Sequence, residues 1–175
     1  LQTAWEGNSA FTDDLIADGI TFEIEFVDNN NVRIDASAEL GSSIIFRGGG
    51  SLIQGGAQDD QFFGDSYNNN FKGNSGDDIA YGYDGNDEFE GGAGNDYLDG
   101  GNGDDIALFS GDYADYVVTR VGLTGLEVSD SRSVSSTGVD NLISIEKLKF
   151  ADRDIDFQYG GVEITGNEDN ESIRG

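Results

Sequence analysis

Four aspartates stand nine residues apart, at Asp78, Asp87, Asp96 and Asp105, and the glycines around each keep the same places. The stretch from Gly73 to Leu108 divides into GNSGDDIAY, GYDGNDEFE, GGAGNDYLD and GGNGDDIAL. Every unit opens on glycine (Gly73, Gly82, Gly91, Gly100), carries another at its fourth place (Gly76, Gly85, Gly94, Gly103) and sets its aspartate sixth. Glycine at a fixed period marks a backbone that turns sharply at the same point each time, through positive φ that other residues adopt at a cost. Carboxylates stacked at such turns repel one another unless a cation lies between them. Hard oxygen ligands select Ca2+, which takes about six to eight oxygens in flexible geometry. Carbonyls of the turns complete the cage, from Gly73, Asn74 and Gly76, from Gly82, Tyr83 and Gly85, from Gly91, Gly92 and Gly94, and from Gly100, Gly101 and Gly103.

The elements that hold these turns are three-residue strands closing each unit, with one apolar residue in register. Counting back by nine from Leu98 gives Phe89, Ala80, Phe71, Phe62, Ile53 and Ile44, and counting forward gives Ala107. The inward row therefore begins before the intact motifs. Units 55–63 and 64–72 keep the inward phenylalanine but carry Gln58 and Tyr67 for the fourth glycine, and the second has Asn69 for the sixth aspartate. These coils are expected to keep their shape and lose ion affinity, with Asp60 a weaker candidate ligand. Segment 46–54 has no carboxylate and reads as a metal-free coil or a lead-in. Aspartates at the fifth place (Asp59, Asp77, Asp104) alternate with Asn68, Asn86 and Asn95 and read as solvated turn residues.

The pattern GGxGxDxUx, which GGAGNDYLD fits at every defined place, resembles the calcium-binding nonapeptide of RTX proteins. The resemblance extends to LFSGDYADYVV and GVDNLISIEKLKFAD, which are similar to the segment that follows such arrays. It implies an all-β fold, a right-handed parallel β-roll in which two nonapeptides make one coil and each ion lies between turn n and turn n+2. One edge then carries Asp60, Asp78 and Asp96, and the other Asn69, Asp87 and Asp105. Asp78 with Asp96 would hold one strong site and Asp87 with Asp105 the other. The resemblance also implies type I secretion from a Gram-negative bacterium, with the chain unfolded where calcium is scarce and folding outside the cell.

Composition supports part of this and excludes much else. With 35 Asp and Glu against 9 Lys and Arg, the net charge of −26 repels nucleic acid and anionic membrane surfaces alike. No apolar run is long enough to insert in a membrane. Cysteine and histidine are absent, which removes disulfides, thiolate metal sites and histidine-based nucleophile activation. The chain starts at Leu1 without methionine and is expected to be a piece of a larger polypeptide.

Before the repeats, Thr12 to Gly19 would suit a short capped helix, and the alternation of Ile20, Phe22, Ile24 and Phe26, then Val32, Ile34, Ala36 and Ala38 across Asp28 to Asn31, reads as a half-buried hairpin. After them, Asp115 to Val121 and Leu126 to Asp130 read as two strands across Gly122 to Gly125, SRSVSSTG as a polar loop, and Asp140 to Phe157 as a turn and a strand. GNEDNESIRG at the end has the form of a degenerate nonapeptide. The expected domains are 1–45, an N-terminal β-rich flank; 46–108, the roll; 109–157, a C-terminal β-rich cap with antiparallel hairpins; and 158–175, the start of a further array. One outward face, with Phe63, Ile79, Tyr81 and Tyr97, is more apolar than the other and should be covered by the flanks. Left open, it would be a platform for a glycan or cell-surface ligand. The resulting expectation is a non-catalytic calcium module of a secreted or surface protein such as an adhesin. The rivals are a carbohydrate-binding accessory module, similar to those accompanying alginate epimerases, and the tail of a secreted lipase or protease.

Overall fold

The computed structural model describes residues 9–10, 22–25, 33–35, 43–48, 52–132, 138–157 and 165–166. The expected helix at Thr12 to Gly19, the loop residues 133–137 and most of the terminal repeat lie outside them. Each nonapeptide ends in a short strand whose middle residue is buried and whose neighbours are half-buried. The strands β4 (Ile44–Arg47), β5 (Leu52–Gln54), β6 (Gln61–Phe63), β7 (Asn70–Ser75), β8 (Ile79–Tyr81), β9 (Glu88–Ala93), β10 (Tyr97–Asp99) and β11 (Ile106–Leu108) alternate between two sheets. Within each sheet neighbours are parallel, so Phe46, Phe62, Ala80 and Leu98 stack in one sheet and Ile53, Phe71, Phe89 and Ala107 in the other. These side chains are buried between the sheets, where the rings of Phe62 and Phe71 stack at 5.3 Å. Apolar residues recurring at nine thus become one continuous core, a parallel β-roll.

Counting by nine needs one correction. Ile44 is buried, but it is Phe46 that stands opposite Phe62, because the coil between them advances 16 residues where the repeat coils that follow advance 18. The expected hairpin of Ile20 to Leu40 is not formed either. β2 (Phe22–Glu25) runs parallel to β4 in one sheet; β3 (Arg33–Asp35) runs parallel to β5 in the other and to β1 (Ser9–Ala10). Alternation marks a strand without choosing its partner, and the open edges of β4 and β5 supply parallel ones.

The C-terminal flank is antiparallel, as expected. β12 (Tyr116–Val121) pairs with β13 (Gly125–Asp130), which pairs with β14 (Val139–Ile143); β15 (Lys147–Lys149) pairs with β16 (Asp154–Asp156), which pairs with β17 (Thr165–Gly166). Yet β14 is also parallel to β10, and β15 to β11, with Leu142 on Leu98 and Leu148 on Ala107. The flank therefore resumes the roll as one more coil. Phe109, Tyr113, Tyr116 and Phe150 pack at 5.2 to 5.3 Å beneath it.

Among the described residues, the flanks join the sheets edge to edge and none is laid across the apolar face, contrary to the expected cover by Ile20 to Leu40 or Asp115 to Phe157. The face shields itself. The Arg47 guanidinium lies over Phe63 at 4.4 Å, Phe63 stacks on Tyr81 at 5.6 Å, and Tyr81 meets Tyr97 at 5.6 Å. Tyr81 is the middle of this row, so Tyr81→Ser is expected to cost about 1 to 2 kcal/mol, less than a fully buried ring, with ion number unchanged. Denaturant unfolding in saturating calcium measures it.

Candidate metal centre

The turns are shaped by two left-handed residues each. At the second place Asn74, Tyr83, Gly92 and Gly101 have φ of 77°, 74°, 117° and 93°. At the fourth, Gly94 combines φ of 138° with a position where a Cβ would run into the carbonyl of Gly76 one coil earlier, so glycine is required on both counts. Gly138, 44 residues after Gly94, stands in the same way on the Gly94 carbonyl.

The sixth-place carboxylates form two ladders. On one edge Ile44 N donates to Asp60 Oδ1 (2.7 Å), Asp60 N to Asp78 Oδ1 (2.7 Å), Asp78 N to Asp96 Oδ1 (2.9 Å) and Asp96 N to Asp140 Oδ1 (3.0 Å). On the other, Asn69 N donates to Asp87 Oδ1 (2.7 Å), Asp87 N to Asp105 Oδ1 (2.7 Å) and Asp105 N to Glu146 Oε2 (2.8 Å). The two edges are those the family resemblance implied. Asp140 and Glu146, which close the ladders, were not among the candidate ligands. Gly138, Asp140 and Leu142 repeat the spacing of Gly94, Asp96 and Leu98, which was the available signal for Asp140; the shortened turn at Glu146 left none.

Each ladder uses one oxygen per carboxylate. The second oxygen, Oδ2, of Asp78, Asp87, Asp96 and Asp105 is buried with no hydrogen-bond partner. A buried anionic oxygen without a donor is a costly arrangement, and one that a cation relieves. The space beside it is kept open by the first-place glycine. A Cβ on Gly73 would fall on Asp78 Oδ2 and the Gly91 carbonyl together, and one on Gly82 on Asp87 Oδ2 and the Gly100 carbonyl. A carboxylate oxygen and a carbonyl from the next coil thus converge on one cradle, an oxygen set that suits Ca2+. Among the described residues no three acidic side chains converge, because each turn contributes a single carboxylate and the remaining oxygens are main-chain. Burial raises the carboxyls above their usual range, Asp78 to about 8, Asp87 to about 7, and Asp96 and Asp105 to about 6, with neighbouring carboxylates adding to it. Asp140, also buried, is raised to about 8.

The degenerate turns satisfy their sixth-place oxygens from within, although Asp65 Oδ2, at the second place of its unit, is buried without a partner. Gly56 and Asp65 do not take the left-handed second place, and their N–H groups turn inward, Gly56 N to Asp60 Oδ2 at 2.8 Å and Asp65 N to Asn69 Oδ1 at 3.1 Å. Asn74 Nδ2 also donates to the Gly55 carbonyl at 2.7 Å. Protein donors here stand where the intact turns leave oxygen bare. The fifth-place residues are more than solvated: Asp59 accepts from Asp77 N, Asp77 from Asn95 N, Asn68 from Asn86 N, Asn86 from Asp104 N and Asn95 from Val139 N, at 2.7 to 3.1 Å. Asparagine and aspartate alternate at that place because both offer the acceptor that an outer ladder needs.

Residues 47–70, 63–96 and 72–107 match the RTX calcium-binding nonapeptide repeat (4 copies). No curated protein matches the chain. Among solved structures, the extracellular lipase LipA from Serratia marcescens is similar at 16% identity and a TM-score of 0.42, over 76% of this chain and 19% of the lipase chain. RTX nonapeptide repeats bind calcium ions, and the coils over residues 47–107 of this chain are RTX calcium-binding nonapeptide repeats.

Proposed function

We propose that the chain is a non-catalytic calcium module of a larger secreted or surface-displayed bacterial protein, folding and stiffening when it meets calcium outside the cell. Its parts are an N-terminal flank over 1–45, the roll over 46–108, a cap over 109–157 and a continuation from 158. One ion lies between the turn of Asp78 and that of Asp96, the other between the turn of Asp87 and that of Asp105. The carbonyls of Gly73, Asn74, Gly76, Gly82, Tyr83, Gly85, Gly91, Gly92, Gly94, Gly100, Gly101 and Gly103 complete the two cages. The observation that carries this reading is the unpartnered, buried Oδ2 in every intact turn, beside a glycine cradle. Calcium there neutralises charge that the fold itself has placed out of water.

The carbohydrate-binding rival loses support. The outward rings turn their faces on one another, with 14° between the planes of Phe63 and Tyr81, so a sugar would meet ring edges rather than faces.

Calorimetry on two variants tests the assignment. Asp96→Ala removes a bare oxygen and is expected to weaken calcium binding by about tenfold or more, whereas Asp60→Ala removes one already held by Gly56 N and leaves the calcium isotherm nearly unchanged. Equal losses in the two variants would overturn the assignment of the intact turns.

A further inference from the structure

The cradle also stands at Gly55, against Asp60 Oδ2 and the Gly73 carbonyl, and at Gly64, against Asn69 Oδ1 and the Gly82 carbonyl, where a backbone N–H already holds the side-chain oxygen. With the oxygen bare, it occurs again where the repeats have ended. A Cβ on Gly100 would fall on Asp105 Oδ2 and the carbonyl of Ser144, the arrangement that Gly73 makes with Asp78 and Gly91, and Gly82 with Asp87 and Gly100. Ser144 is not a repeat residue. It lies in the short turn between β14 and β15, at φ 50°, held there by its N–H on the Thr124 carbonyl at 3.0 Å, while Gly100 N donates to the Ile143 carbonyl at 3.0 Å. Asp105 is buried, and its Oδ2 has no partner. Glu146 Oε2 accepts from Asp105 N as Asp105 Oδ1 accepts from Asp87 N, so a second carboxylate faces the turn from the far side.

The geometry points to a further divalent-cation site between the last repeat turn and the flank, formed by Asp105 Oδ2, the Ser144 carbonyl and the Glu146 carboxylate, with Ca2+ as its ion. It rests on the reading of the intact turns as calcium sites and extends it beyond the motif. Its effect is to staple β14 and β15 to the roll, so that the flank and the repeats share one ion. Asp96 Oδ2 is bare as well, but the turn across from it falls outside the described residues.

The test is the number of calcium ions on the full chain, by native mass spectrometry and calorimetry with calcium alone as the probe. Gly100→Ala fills this cradle while leaving the Gly100 carbonyl in place, and is expected to bind one ion fewer than the parent chain, as Gly82→Ala does at the Asp87 cradle. Glu146→Gln keeps the acceptor for Asp105 N and removes the charge; it is expected to weaken the last ion about tenfold. Circular dichroism in saturating calcium establishes that each variant is folded, and Glu146→Gln carries the test if Gly100→Ala is not. Gly82→Ala losing an ion while Gly100→Ala and Glu146→Gln keep the parent's count and affinity overturns this site alone. A parent chain that binds no calcium overturns the underlying reading instead.

Discussion

In chelator at pH 8 the chain is expected to lose most of its β-sheet circular dichroism, to recover it on adding calcium, and to recover little in equimolar magnesium. Asp60, Asp78, Asp87, Asp96, Asp105 and Asp140 are each at most 3% exposed. Asp78, Asp87, Asp96 and Asp105 in addition bury an oxygen without a donor. Each such oxygen costs about 1 to 3 kcal/mol or more, so together they rival the roughly 5 to 15 kcal/mol that holds a typical domain together. The net charge of −26 adds repulsion that compaction worsens. Magnesium demands near-octahedral geometry and sheds its waters reluctantly, which the main-chain oxygens of these turns do not accommodate well. A spectrum indifferent to chelator would contradict the role given to the bare oxygens.

Acid is expected to replace part of what calcium supplies. The carboxyls of Asp78 and Asp140 are raised to about 8, Asp87 to about 7, and Asp60, Asp96 and Asp105 to about 6, against 3.8 for an ordinary aspartate. A group whose folded pKa lies above its unfolded one binds its proton more tightly in the fold, so the ion-free roll gains stability as pH falls through the folded values. The gain begins near pH 8, grows through pH 6 and is complete only near 4, where the unfolded chain takes up protons too. This is opposite in sign to a salt-bridged carboxylate, which loses stability on acidification. Circular dichroism of the chelated chain should therefore show β-structure returning between pH 8 and 5, and over the same range the calcium midpoint should move to higher concentration as protons compete for the ligands. A chelated chain whose β-signal stays flat or declines across that window would be the contrary result.

The repeat made the turns, strands and inward row legible, because Gly94, Asp96 and Leu98 each have one physical task and the period of nine set the register of all three at once; their winding into a roll was what the resemblance implied. Where the period failed, so did the reading. Phe46 replaces Ile44 opposite Phe62 because two residues are missing from one coil, a change that no local pattern announces. Asp140 sits in a fully recognisable Gly138–Asp140–Leu142 spacing, yet counting by nine from Asp105 does not reach it. The division between turns that leave the sixth-place oxygen bare and turns that satisfy it follows the second place, where residue type is a weak guide: Tyr83 is left-handed there and Gly56 is not. Partners in the N-terminal flank were illegible for another reason, since alternating residues suit a parallel and an antiparallel neighbour equally.

The coil that ends the roll is closed by residues 44 apart, Asp96 and Asp140, where the two repeat coils before it on that edge are closed by residues 18 apart. The 26 extra residues include β12 and β13, which leave the roll and return to it in register. Lengthening a loop from 18 to 44 residues adds only about 0.8 kcal/mol of closure entropy, because the cost grows with the logarithm of length. A solenoid whose register is fixed turn by turn is in this sense a frame that can be opened at a turn to admit another unit. The antiparallel hairpin of β12 and β13 occupies such an opening, and a larger folded insert with closely spaced ends would fit the same place without disturbing the coils on either side.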